Sequence, residues 1–195
     1  MNTNSIMIVG VGGQGTLLAS RILGRVLLNE GKDVKISEVH GMSQRGGSVT
    51  TYVRFGDTVA SPIVDQGGAD TILAFEESEA LRALPWLKPN GRILVNTQQI
   101  DPMPVIMGAA AYPAGVLQEL RAHAEVTAID ALTLAKQAGA AKAVNVVLIG
   151  LLAKTTEIPC ERWIAAMESV VPPKFIEANK RAFQLGYEAQ GGNDQ

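Results

Sequence analysis

The chain has 195 residues, with 17 basic and 19 acidic side chains for a formal charge of −2, so no basic excess exists to attract nucleic acid or an anionic membrane. Hydrophobic residues make up 47% and glycines number 20, which suits a compact α/β protein with tight turns and a full core. The single cysteine, Cys160, excludes an intrachain disulfide and a cysteine-ligated iron–sulfur cluster held by this chain alone.

In chain order, Met1–Ser5 lacks the charged region of a signal peptide and runs directly into an apolar strand, Ile6–Val9. Gly10, Gly12 and Gly15 follow with G-x-G-x-x-G spacing, and Leu17, Leu18, Ile22, Leu23 and Val26 recur at helical intervals behind them. Strand, glycine turn and helix in that order open a nucleotide-binding α/β fold. Gly10 is expected to let the chain turn sharply, Gly12 to admit a ligand close to the backbone, and Gly15 to let helix and strand pack closely. The helix start offers unpaired N–H groups and the positive end of a dipole, which suit a phosphate. The helix is predicted over Gly15–Leu28, with Gly31 as its left-handed cap.

Asp33–Val39 reads as the second strand. Glu38 near its end is either a ribose ligand, if a dinucleotide sits on the glycine turn, or an ordinary exposed carboxylate. The polar run His40–Ser48 holds three glycines and Arg45 at the expected carboxyl edge of the sheet, where open α/β sheets bind ligands. Val49–Phe55 alternates as a third strand; a loop from Ser61 to Gly68, a buried strand Asp70–Phe75 and a helix from Glu76 through Leu84 follow. Three carboxylates in that helix's first turn are explained by its dipole. Pro89-Asn90-Gly91 reads as a turn and Arg92–Asn96 as the next strand. Strand, helix, turn and strand form the repeating unit of a parallel sheet.

Residues 101–115 are rich in proline, alanine and glycine, with Val105-Ile106-Met107 as a short edge strand. A helix Gly115–His123, a strand Glu125–Ile129 and a helix capped by Asp130 come next. Residues 143–155, 159–170 and 173–189 are predicted as helices packed on the sheet, with a frayed end at 191–195. Ala143–Ala153 is too short to span a bilayer and contains Asn145. His40 and His123 are too few and scattered for a zinc site. The expectation is a soluble, cytoplasmic α/β protein: a Rossmann-like, mostly parallel sheet flanked by helices, with residues 1–190 as one domain.

Three stretches together resemble a known family: Gly10-Val11-Gly12-Gly13-Gln14-Gly15, the run Ser37–Val49, and Val53-Arg54-Phe55-Gly56. They are similar to the gamma-type component of the 2-oxoacid:ferredoxin oxidoreductases, with the beta subunit of the indolepyruvate branch as the best fit. Ala74-Phe75-Glu76, Leu87–Gly91, Tyr112-Pro113 and Ala143–Val147 agree in order, so the resemblance covers nearly the whole chain. It implies oxidative decarboxylation of an aryl 2-oxoacid such as indolepyruvate to the acyl-CoA, with ferredoxin as electron acceptor. It also implies thiamine diphosphate, magnesium and iron–sulfur clusters on a larger alpha subunit, since this chain lacks the thiamine-binding motif and the cysteines for clusters.

On that resemblance this chain carries no catalytic residue or metal and is inactive alone. It would position coenzyme A and dock the partner. The coenzyme candidates are Gly12, Gly13, Gln14, Gly15, Thr16 and Arg21, with Arg45 closing over the ligand or meeting the partner. Arg54 reads as a surface or interface charge, and His40 as a loop histidine making structural hydrogen bonds. The alternatives are a gamma subunit of a pyruvate, 2-oxoglutarate or branched-chain 2-oxoacid oxidoreductase, a free-standing dinucleotide-dependent oxidoreductase using Glu38, or a nucleotide- or flavin-binding regulatory module.

Overall fold

The computed structural model describes residues 3–40 and 47–191. Six strands form one sheet: β1 (Thr3–Val11), β2 (Asp33–His40), β3 (Ser48–Gly56), β4 (Ala69–Ala74), β5 (Leu87–Asn96) and β6 (Glu125–Ile129). Eight helices accompany them among the described residues: α1 (Thr16–Asn29), α2 (Glu77–Ala83), α3 (Met103–Ile106), α4 (Val116–His123), α5 (Ala131–Gln137), α6 (Val144–Lys154), α7 (Cys160–Val170) and α8 (Ile176–Glu188). None of them is long and apolar enough to cross a membrane.

The strand order is β2-β3-β1-β4-β5-β6. Strands β1, β4, β5 and β6 run parallel, whereas β3 is antiparallel to both neighbours, β1 and β2. The reason lies in chain length. The connection from His40 to Ser48 is too short for a crossover, so β3 must return beside β2 as a hairpin partner. The mostly parallel α/β architecture holds, with this insertion separating β2 from β1.

Side chains alternate across the sheet into two cores. On one side Ile6, Ile8, Val53, Leu73, Phe75 and Leu94 pack under α1 and the helices α5–α8. On the other, Met7, Val9, Ile72, Ala74, Ile93 and Val95 pack under α2 and α4. Helix α6 is buried from Val144 to Ala153, which accounts for its near-continuous apolar sequence.

Three local expectations change. Val105-Ile106-Met107 is no edge strand: a single helical turn, Met103–Ile106, starts after extended Pro102, with Pro104 in its first turn and Ile106 65% exposed. Strand β5 begins at Leu87, so Pro89-Asn90-Gly91 lies within it, marked by a register shift opposite Ala69–Thr71 and a left-handed Asn90 at φ 64°. Gly10 is a paired strand residue, not a turn. A Cβ there would stand 2.9 Å from Phe75 Cβ and 2.7 Å from Gln14 Oε1, so its task is close approach. The fraying expected at 191–195 falls, beyond Gly191, outside the described residues.

Candidate functional site

The glycine turn joins β1 to α1 at the carboxyl edge of the parallel strands. Gly15 is the N-cap of α1, left-handed at φ 82°, and no side chain caps the helix. Its helical start therefore presents backbone N–H groups and the positive dipole end without a built-in acceptor. Gly15 packs against α6, not against a strand: a Cβ would lie 2.6 Å from Asn145 Nδ2, which donates to Gly15 O at 3.2 Å. Asn145, the polar break in the apolar helix, thus anchors the turn.

Gln14 is a strut. Its Oε1 accepts from Val11 N at 2.7 Å and its Nε2 donates to Phe75 O at 2.9 Å. Asn96 Nδ2 donates to the same carbonyl at 3.1 Å, while Asn96 Oδ1 accepts from Ala131 N at 3.0 Å. The ends of β1, β4 and β5 and the start of α5 are tied together by these two amides. Neither amide role was visible in the sequence, because both converge on the Phe75 carbonyl, which is remote from each in the chain.

Above this edge lies an open pocket of about 420 Å³, lined by Gly12, Gly13, Gly15, Thr16, Glu38 and His40 among others. Gly12 N donates to Gly47 O at 2.9 Å and ties the turn to the start of β3. Gly13, at φ 99°, has nothing within 4 Å of a Cβ position, so the backbone is open to a ligand. Glu38 enters from the far side of β3, two strand spacings from β1, or roughly 10 Å. A ribose carboxylate in a dinucleotide fold stands beside β1, and the inserted β3 removes that arrangement.

Of the seven predicted site residues, the structure brings Gly12, Gly13, Gly15 and Thr16 to this pocket and places Gln14 beneath it. Arg21 lines a neighbouring groove between α1, β2 and α7, together with Arg25, which the sequence reading passed over despite its i+4 spacing. Arg45 lies outside the described residues. Arg54 is a loop anchor: its Nη1 donates to Ser61 O at 3.1 Å and Ile63 O at 2.9 Å.

The acidic start of α2 does more than answer a dipole. Glu76, fully buried, accepts from Glu79 N at 3.0 Å, Ser78 Oγ at 2.7 Å, Ile100 N at 3.1 Å and the Tyr112 hydroxyl. Burial, together with the hydrogen bond to Glu76, raises the Tyr112 hydroxyl above the usual phenol range and keeps it a donor. Glu79 Oε2 accepts from Ser48 Oγ at 2.5 Å, and burial pushes its carboxyl up. No group of three or more His, Cys, Asp or Glu side chains among the described residues could hold a metal ion.

The profile of the pyruvate ferredoxin/flavodoxin oxidoreductase family matches residues 5–189. Indolepyruvate oxidoreductase subunit IorB of Thermococcus kodakarensis is 45% identical over 197 residues, covering 97% of this chain and 96% of that protein. The gamma subunit of a keto/oxoacid ferredoxin oxidoreductase from Geobacter sulfurreducens superposes with a TM-score of 0.71 at 26% identity, over 95% and 96% of the two chains. The 2-oxoglutarate:ferredoxin oxidoreductase of Magnetococcus marinus, solved with coenzyme A bound, shares the fold at TM-score 0.71 and 16% identity, over 98% of this chain and 32% of that one. On the family match and the near full-length likeness, the chain belongs to the pyruvate ferredoxin/flavodoxin oxidoreductase family, as a gamma-type subunit of a 2-oxoacid:ferredoxin oxidoreductase.

Proposed function

We propose that this chain is the accessory subunit of an arylpyruvate:ferredoxin oxidoreductase, acting on indolepyruvate or a related aryl 2-oxoacid. Its contribution is to position coenzyme A and to dock a larger alpha subunit, with residues 1–190 as one domain of a cytoplasmic assembly. The 45% identity to an indolepyruvate oxidoreductase subunit over nearly the whole chain carries the substrate class. The uncapped start of α1, opening onto a pocket floored by glycine backbone, supports the coenzyme role. Helix-start amides suit a pyrophosphate oxygen, and Gly13 leaves the approach clear.

Thiamine diphosphate, magnesium and iron–sulfur clusters belong in this reading to the alpha subunit, where they supply carbanion and electron-transfer chemistry. For docking, the sheet face under α2 and α4 is the preferred surface. Helix α2 reaches β3 through the Ser48–Glu79 hydrogen bond, but the covering helices stop short of the edge strand β2, leaving Val39 53% exposed beside Thr50 and Tyr52. Sheets in α/β folds are ordinarily covered on both faces.

Reconstitution tests the reading. The isolated chain is expected to show no turnover, and the alpha subunit should restore coenzyme A-dependent oxidation of indolepyruvate with ferredoxin reduction. Gly13→Ala, which forces a side chain onto the left-handed turn residue at φ 99° and so disturbs the backbone lining the pocket, should raise the KM for coenzyme A. Reduction of a nicotinamide by the lone chain, or coenzyme kinetics unchanged in Gly13→Ala, would overturn it.

A further inference from the structure

Beside the glycine pocket, α1 and the edge strand β2 enclose a second groove of about 350 Å³. Leu17, Arg21 and Arg25 follow one another along the same face of α1, so the cations extend from the glycine pocket over about 12 Å at 1.5 Å per residue. The floor is apolar: Leu28 is 55% exposed, Ile36 is 42% exposed, and Val170 of α7 closes the lower end. Gly24 shapes this floor, since a Cβ there would meet Ile36 Cδ1 at 2.8 Å. Its bare backbone lets Ile36 lie against the helix between the two arginines.

Both guanidinium groups are exposed, and neither takes part in an ion pair among the described residues. The neighbouring acid, Glu30, pairs with Arg162 at 2.6 Å. Two cations without carboxylate partners, one turn apart beside an exposed apolar floor, form a site for a ligand with a phosphate and a flat ring. Arginine suits both parts, because its planar fork binds phosphate oxygens and stacks on aromatic faces.

We propose that this groove seats the 3′-phosphoadenosine end of coenzyme A, with Arg25 holding the 3′-phosphate and Arg21 shared with the pyrophosphate. The proposal rests on the coenzyme reading above and adds a direction to it. The pyrophosphate has the α1 N-terminus, but the 3′-phosphate finds no lysine or arginine in the glycine pocket among its described lining, and meets the Glu38 carboxylate there. The cations that serve it lie further down α1. The adenine then rests on Leu28 and Ile36, and the pantetheine arm leaves in the opposite direction, past the glycine turn.

The test compares coenzyme A with 3′-dephospho-coenzyme A in the enzyme reconstituted with its alpha subunit. Arg25→Gln should raise the KM for coenzyme A by about tenfold, the scale of one charge-assisted hydrogen bond, and leave that for the dephospho form unchanged. Arg21→Ala should weaken both. Adenosine 3′,5′-bisphosphate should compete with coenzyme A better than AMP does, and Arg25→Gln should abolish that advantage. A coenzyme preference in Arg25→Gln equal to that of the wild type, while Gly13→Ala still weakens both forms, would overturn this inference and leave the coenzyme role standing. Indifference of both coenzymes to Gly13→Ala would remove the coenzyme role, and this inference with it.

Discussion

Glu79 is buried beneath the start of β3, with Ser48 Oγ donating to it at 2.5 Å and Arg82 Nε 3.7 Å from its other oxygen. Burial raises its carboxyl above the ordinary value, outweighing the Ser48 hydrogen bond and Arg82. The folded protein therefore binds this proton more tightly than the unfolded chain does. The resulting stabilisation is complete below the unfolded pKa and is lost as pH rises through the elevated folded value. Glu79→Gln keeps an acceptor for Ser48 without the charge. It is expected to raise stability above that window and to converge with the wild type at acid pH, as read from urea midpoints across a pH series. In sequence, Glu79 reads only as a first-turn carboxylate favoured by the helix dipole. Its burial is set by β3, which reaches it from 31 residues away.

At the scale of elements, the crossing of α6 and α8 holds the C-terminal helices on the sheet. A Cβ at Gly186 would collide with Val147 O, and one at Gly150 with Phe183 O, so the helices meet backbone to backbone. Gly186→Ala should cost about 3 kcal/mol, at the upper end for overpacked cores, because backbone cannot yield as a side-chain tip does. Guanidinium unfolding of the isolated chain measures it; an unchanged midpoint would show that the two helices separate freely. Both helices were legible in sequence as the apolar-rich segments 143–155 and 173–189, and the Asp130 cap was too: Asp130 accepts from Thr133 N at 2.9 Å. The glycine contact was not, since a glycine within a helix pattern carries no record of what faces it.

For the whole molecule, the sheet's uncovered half is the expected meeting place with the alpha subunit. Cross-strand register puts Val39 beside Thr50, and Ser37 beside Tyr52, on the face that α2 and α4 leave open. Val39→Glu adds a charge at an exposed edge-strand position, so the isolated chain should keep its circular dichroism and unfolding midpoint. Co-elution with the alpha subunit during size-exclusion chromatography should be lost. Full retention of the complex would move the interface elsewhere.

The sequence by itself determined the α/β class, the glycine turn with its helix, the order of strands and helices apart from the helical turn at Met103–Ile106, and the family. These are written in local signals: apolar period, turn residues and caps act over a few neighbouring positions. Tertiary structure alone decided that β3 stands between β1 and β2, that Gln14 braces the turn beneath the pocket, and that Arg25 joins Arg21 beside an apolar floor. Each of these depends on which distant segments pack together, and side-chain chemistry along one segment does not encode its neighbours in space.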